Sequence, residues 1–311
     1  MSESQPWVSE VGDGIYAYIQ PDGSWWINNT GFLLLPDGEG VVSVDACSTE
    51  RRTLAYRQAI ARVTPAPVRT LINTHFHGDH THGNVFFPTA TIVAHERTRR
   101  ELLAAPPLEA YARLFEAPEW GAVRRVAPFL TYTDQVMVYA GELRCEVRYV
   151  GQPAHTGADS IVWIPERRVL FAGDLVFHGG TPFVLMGSVA GTIAVSEDLK
   201  RLGAETVVPG HGDLCGPEWF EVTIGYLRFV QDVARRGIEA GLTPLEAARE
   251  ADLGEYKAWT DAERIVGNLH RAYAELGGLD GSGAGAYAEV DVLGALQQMV
   301  VFNGGPLHCH A

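Results

Sequence analysis

From Thr74 to Asn84 the chain reads Thr-His-Phe-His-Gly-Asp-His-Thr-His-Gly-Asn, so four imidazoles (His75, His77, His80, His82) and one carboxylate (Asp79) fall within eight positions. An apolar run, Thr70-Leu71-Ile72-Asn73, precedes it and reads as a strand. Imidazole nitrogen suits zinc or iron, and a carboxylate adds charge neutralisation. His75 and His77 lie two apart on an extended segment, so their side chains point the same way and can share one cation. Asp79 and His80 follow Gly78, where the backbone is free to turn and aim them at a second point. A chain carrying this segment must therefore end a strand at a metal-type site.

Three further stretches each place a ligand-type residue after a strand-like run: His155 in Gly151-Gln152-Pro153-Ala154-His155-Thr156, Asp174 in Leu170-Phe171-Ala172-Gly173-Asp174, and His211 in Val207-Val208-Pro209-Gly210-His211-Gly212. Together with the dense segment they resemble the metal-binding signature of the metallo-β-lactamase superfamily. The resemblance implies two zinc ions, with iron or manganese as alternatives. His75, His77 and His155 would hold the first, Asp79, His80 and His211 the second, and Asp174 would bridge. It further implies a metal-bridging hydroxide as nucleophile, with Asp79 orienting the metal-bound water.

Residues 7–48 read as successive strands, including Ile15 to Ile19, Gly31 to Leu35 and Val41 to Val44, with a turn at Pro36-Asp37-Gly38. Asp45, at the end of the last strand, either orients a ligand histidine from behind or caps the next helix. Residues 49–63 are expected to form an amphipathic helix with Tyr56, Ile60 and Val63 on one stripe. A strand at 91–95 and helices at 96–104 and 107–116 follow, broken by Pro106-Pro107. Two strands are expected in 136–150, then Ser160 to Ile164 and Arg168 to Phe171, and helices at 192–202 and 217–239. This order predicts a mixed α/β four-layer αββα sandwich, the metallo-β-lactamase fold, over residues 1–240. Residues 241–311 read as a C-terminal helical extension packed on the same domain. Its helices start at Thr243, which caps Pro244, and continue at 261–276 and 286–300, with a Gly-rich linker from Gly277 to Gly285 between the last two. The tail carries His308, Cys309 and His310, which could hold a metal but are expected to be a flexible terminus.

The formal net charge of −14 argues against nucleic acid, whose phosphates need a basic face. No apolar run approaches a membrane span, and Met1-Ser2-Glu3-Ser4-Gln5-Pro6 carries no secretory pattern. Cys47, Cys145, Cys215 and Cys309 are expected to be free thiols of a cytoplasmic protein.

Thr181 to Gly191, Gly241 to Gly254, Asp261-Ala262-Glu263-Arg264, Asn268 to Ala272 and Phe302-Asn303-Gly304-Gly305 are similar to one branch of the superfamily, the cyclase/thioesterases of bacterial aromatic polyketide pathways. That resemblance implies closure of a ring by aldol condensation on an acyl carrier protein-bound chain, followed by hydrolytic release, in antibiotic biosynthesis. His82 departs from the branch, where a small or apolar residue is usual; it is either a hydrogen-bond donor behind a ligand or a surface histidine. Arg97, Arg99 and Arg100, or Arg124 and Arg125, are candidate contacts for an acidic carrier. The alternatives on the same ligands are a generic lactonase or a glyoxalase-II-like thioester hydrolase, a two-iron redox protein, and a binding module without catalysis.

Overall fold

The computed structural model describes residues 5–116, 118–277, 285 and 288–311. Met1 to Ser4 and most of the predicted Gly277–Gly285 linker lie outside the described residues. Seven strands form one sheet in chain order: β1 (Trp7–Gly12), β2 (Ile15–Ile19), β3 (Thr30–Leu34), β4 (Val41–Val44), β5 (Val68–Ile72), β6 (Thr91–His95) and β7 (Leu130–Tyr132). β1 to β4 are antiparallel, whereas β4 to β7 run parallel. Five strands form the second sheet: β8 (Gln135–Ala140), β9 (Leu143–Tyr149), β10 (Ser160–Ile164), β11 (Val169–Phe177) and β12 (Thr206–His211). Here β11 and β12 are parallel and the rest antiparallel.

Alternation along the strands builds the layers. On β3, Leu33 joins Ile15, Val44, Ile72, Val162 and Phe171 between the sheets. Its neighbour Phe32 turns outward to Tyr56 and Ile60 of helix α1 (Glu50–Val63). On the far side Ile161, Trp163 and Leu170 meet Val195 and Leu199 of α4 (Val189–Lys200) and Phe220 of α5 (Glu218–Glu239). The predicted αββα sandwich is thus the observed architecture. The parallel connections carry α1, the one-turn α2 (Gly78–Thr81) and α3 (Glu96–Ala104).

Several elements differ from expectation. The 107–116 stretch is not a helix: only Leu108–Tyr111 makes a 3₁₀ turn, because its aromatic side chains are drawn toward a cavity rather than along a helical stripe. Strand β11 continues to Phe177, six residues past Phe171; every residue in it is buried, so no alternation marks its end. Val63 is 37% exposed and does not join the stripe. β7 has three residues and little pattern to read.

After residue 240, α6 (Pro244–Glu250), α7 (Arg264–Leu276) and α8 (Val292–Asn303) follow. Thr243 caps α6 in a reciprocal box with Glu246. Ile265, Val266 and Leu269 of α7 and Leu296 and Met299 of α8 share one apolar cluster with α5 and with Trp25, Phe115, Phe177 and Phe183. The tail, expected to be flexible, is tied down. Leu307 pairs with Phe115 and exchanges backbone hydrogen bonds with Leu114 and Glu116 at 2.8 and 2.9 Å, and Arg52 Nη2 donates to the His310 carbonyl at 2.8 Å. Leu307 is fully buried there, and Cys309 packs on the same apolar cluster, which anchors the segment.

Arg264 links this extension to the sandwich. It is 1% exposed, donates from Nη1 to the Thr181 carbonyl at 2.9 Å and pairs with Asp261 at 2.7 Å. Its guanidinium lies between the rings of Trp25 and Phe177, at 4.2 and 5.0 Å. Arg264→Ala should lower the unfolding free energy by about 3–5 kcal/mol, because Asp261 is left buried without its cation. Urea denaturation checks this, and a loss below about 1 kcal/mol would show that the pair does not hold the extension.

Candidate metal centre

The ends of β4, β5 and β12 and the body of β11 converge at one edge of the sandwich, the crevice outside the carboxyl ends of parallel strands. His75, His77, His155 and Asp174 form one group, and Asp79, His80, Asp174 and His211 a second; within each, the potential ligand atoms lie within 4.8 Å of one another. Asp174 belongs to both. Its Oδ2 lies 3.2 Å from His155 Nε2, 3.3 Å from His211 Nε2 and 3.8 Å from His75 Nε2, and its Oδ1 lies 3.0 Å from His80 Nε2. Asp79 Oδ2 lies 3.3 Å from His211 Nε2. All seven residues that the sequence pattern singles out meet here.

Local backbone makes the convergence possible. The β11–β12 register shifts around Gly173, whose φ is +53°, and this irregularity re-aims the next residue, Asp174. A Cβ on Gly210 would lie 1.9 Å from Asp174 Oδ1, so only glycine lets β12 pass the carboxylate.

Four of the five histidines are aimed from behind; the fifth, His77, meets His155 Nε2 through its Nδ1 at 2.8 Å. His80 Nδ1 donates to Asp45 Oδ2 at 2.9 Å. Thr74 donates to the same carboxylate from its backbone N–H and from Oγ1, both at 2.8 Å, and its Oγ1 also lies 3.0 Å from His75 Nδ1. Asp45 therefore orients one histidine of each group, directly or through Thr74. The capping alternative falls, since Thr49 caps α1. His155 Nδ1 donates to the Phe183 carbonyl, and His211 Nδ1 to that of Gly23 at 3.0 Å. With Nδ1 donating, Nε2 is the atom these rings turn toward the centre.

The donor set fits cations. Nε2 of His75, His77 and His80 and Oδ1 of Asp174 are buried and make no hydrogen bond among the described residues; the 3.0 Å approach of His80 to Asp174 lacks the angle for one. Burial pushes His75 well below the ordinary imidazole value, with His80 adding to it, and pushes His77 down to about 3, with His155 adding to it. Burial also opposes charge on His80 and His211. There the carboxylates win: Asp174, Asp45 and Asp79 hold His80 well above its ordinary value, and Asp174 and Asp79 raise His211 to about 9. Protons on these two rings offset the buried carboxylates, and divalent cations would displace them. The two groups fit a pair of metal ions, with Asp174 offered to both.

A cavity of about 360 Å³ opens on this centre, within the range of small-molecule sites. Trp25, Trp26, Tyr111, Phe115, Phe183 and Met186 give it an apolar wall, and Arg124 and Arg125 line its exposed side. Trp25 and Trp26 were not singled out in the sequence. Their available signal was an aromatic pair in a stretch too polar for a strand, between Pro21-Asp22-Gly23 and Asn28-Asn29. His82 lies in the cavity wall against Trp26, not behind a ligand. Arg97, Arg99 and Arg125 direct donors to backbone carbonyls, of Gly157, of Pro128, and of Leu103, Ala105 and Pro106. His308, Cys309 and His310 belong to neither group.

Asp45→Asn should weaken zinc binding about 10- to 100-fold, because the carboxylate that aims His80 and, through Thr74, His75 is lost. Thr49→Ala, which removes only the helix cap, should leave zinc affinity unchanged. Competition with a chromophoric chelator measures both; equal affinity for Asp45→Asn and the parent protein would contradict the assignment.

The family model described as the metallo-beta-lactamase superfamily matches residues 23–211. The chain is 26% identical over 288 residues to 2,4-dinitroanisole O-demethylase subunit alpha of Nocardioides sp. (strain JS1661), covering 90% of this chain and 77% of that protein. It is 26% identical over 232 residues to acyl-coenzyme A thioesterase MBLAC2 of Bos taurus, covering 67% of this chain and 81% of that one. The metallo-beta-lactamase from Pontibacter korlensis superposes with a TM-score of 0.57 at 20% identity, over 72% of this chain and 99% of its own. The match over more than half of the chain, on the fold and the paired ligand groups described above, means that this chain belongs to the metallo-β-lactamase superfamily of metal-dependent hydrolases.

Proposed function

We propose that the chain is a dinuclear zinc hydrolase of acyl thioesters, and that it acts as a polyketide cyclase/thioesterase on chains carried by an acyl carrier protein. The observation that carries this reading is the juxtaposition of the paired ligand groups with an aromatic cavity large enough for a cyclic acyl group. His75, His77 and His155 would hold one zinc and Asp79, His80 and His211 the other, with Asp174 between them. Bound zinc supplies Lewis acidity toward a carbonyl oxygen and acidifies water, which serves both acyl hydrolysis and aldol ring closure. Asp79, which lies near His211, would orient the attacking water. Trp26, Tyr111 and Phe115 would fold the acyl chain so that its reacting carbons meet. Arg124 and Arg125 line the exposed side of the cavity and would meet an acidic carrier there.

Likeness to an acyl-coenzyme A thioesterase supports the reaction class. A second reading, hydrolysis of an aryl ether, draws on the relative named for 2,4-dinitroanisole, which covers 90% of this chain. Lactone and glutathione thioester hydrolysis are the remaining alternatives.

Zinc-loaded protein should be incubated with a bicyclic polyketone thioester, acyl-CoA esters, lactones, S-lactoylglutathione and 2,4-dinitroanisole. Release of free thiol from the aromatic and polyketone thioesters should be fastest, and product masses should show a ring closed with loss of water. Chelation should abolish turnover and zinc restore it, while Asp174→Ala should not regain activity with zinc. Faster turnover of lactones or of the ether than of any thioester would overturn the reading.

A further inference from the structure

His82 is the one histidine of the dense segment that neither ligand group uses. It lies in the cavity wall, with its ring stacked on Trp26 at 5.7 Å and 20° and edge-on to Trp120 at 5.6 Å. Trp26 in turn meets Tyr111, Phe115 and Trp120 edge-on. Packing alone would be served by phenylalanine at both positions. Instead, Trp26 Nε1 is buried with no hydrogen-bond partner among the described residues, and the ring of His82, whose Nδ1 is also buried, has only the Ser48 backbone as a polar partner. Such atoms are costly and call for an explanation at the place where they persist. Trp26 is also held at φ +65°, a left-handed conformation that a bulky residue rarely adopts and that tends to cluster at ligand sites. The pair sits directly on the ligand turn: a Cβ on Gly78 would lie 2.3 Å from His82 Cε1 and 2.7 Å from Trp26 Cζ3. Asp79 is the next residue.

We infer that His82 and Trp26 form a subsite for a hydroxyl group on the acyl part of the substrate. This deepens the acyl-hydrolase reading above and rests on it. An indole N–H only donates, and an imidazole accepts at its unprotonated nitrogen. A hydroxyl accepts from the first and donates to the second. A bare hydrocarbon does neither, and a carboxylate placed here would face Asp79. A subsite built on hydrogen bonds rejects the analogue that lacks the partner, because its own polar atoms are then left unmet. The subsite would fix which oxygenated ring of the acyl group lies nearest the ligand turn.

The test uses N-acetylcysteamine thioesters of naphthoic acid and of its monohydroxy isomers, with the zinc-loaded parent protein, His82→Leu, His82→Gln and Trp26→Phe. Zinc content and circular dichroism are recorded for each variant. The parent protein should favour at least one hydroxy isomer over unsubstituted naphthoyl by roughly 10- to 100-fold in kcat/KM. His82→Leu and Trp26→Phe should each bring that ratio close to one, and His82→Gln should keep part of it. Trp26→Phe keeps an aromatic ring but removes the N–H together with the five-membered half of the indole, so it disturbs packing differently from His82→Leu, and loss of the hydrogen bond is what the two variants share. Equal rates for all isomers in the parent protein, or a ratio unchanged in both His82→Leu and Trp26→Phe, would overturn the subsite while leaving thioester hydrolysis standing. No turnover of any thioester would overturn the hydrolase reading and the subsite with it.

Discussion

Three buried carboxylates govern this molecule: Asp45, Asp79 and Asp174 are 2%, 8% and 6% exposed. Charge out of water is tolerated only where it is paired and hydrogen-bonded. Asp174 solves this by standing within 4 Å of four histidines. Asp45 solves it by accepting from Thr74 twice and from His80 once. The remaining negative charge is balanced by protons on His80 and His211, or by cations that take their place. The site is thus a concentration of charge that needs partners, and the fold gathers charges and partners from five separate chain segments, at Asp45, Thr74–His80, His155, Asp174 and His211.

Topology explains how distant segments meet. Parallel pairing of β4 with β5, and of β11 with β12, brings the carboxyl ends of strands from both sheets to the same edge. Close approach then depends on small residues. Gly210 clears Asp174, and Gly23, at φ +78°, lies so near Gly212 that a Cβ there would be 2.5 Å from its nitrogen. That contact seats the Gly23 carbonyl against His211. The C-terminal helices complete the arrangement: Arg264 packs on Phe177, and Phe177 stacks on His211 at 4.9 Å and 10°. One cation–π layer therefore separates the extension from the ligand set.

Most strands were legible as short apolar runs between turn residues and most helices as apolar stripes, and the dense His/Asp segment was legible because its ligands are neighbours in sequence. What stayed hidden was what sequence does not encode locally. The carbonyls of Gly23 and Phe183, which aim His211 and His155, belong to backbone that any residue could supply. Asp45 read equally well as a helix cap until Thr49 was seen to fill that role. Arg264 read as part of a helix start, because a cation fully enclosed by Trp25, Phe177 and Asp261 looks no different in sequence from a solvated one. The 107–116 stretch has helical composition, yet tertiary packing around the cavity overrides its propensity.

The central claim is that two cations share Asp174. Anomalous diffraction from crystals of the zinc-loaded protein, collected on both sides of the zinc absorption edge, tests it most directly. Two peaks are predicted, one bounded by His75, His77 and His155 and the other by Asp79, His80 and His211, with Asp174 touching both. A single peak, or peaks that leave Asp174 untouched, would contradict the account.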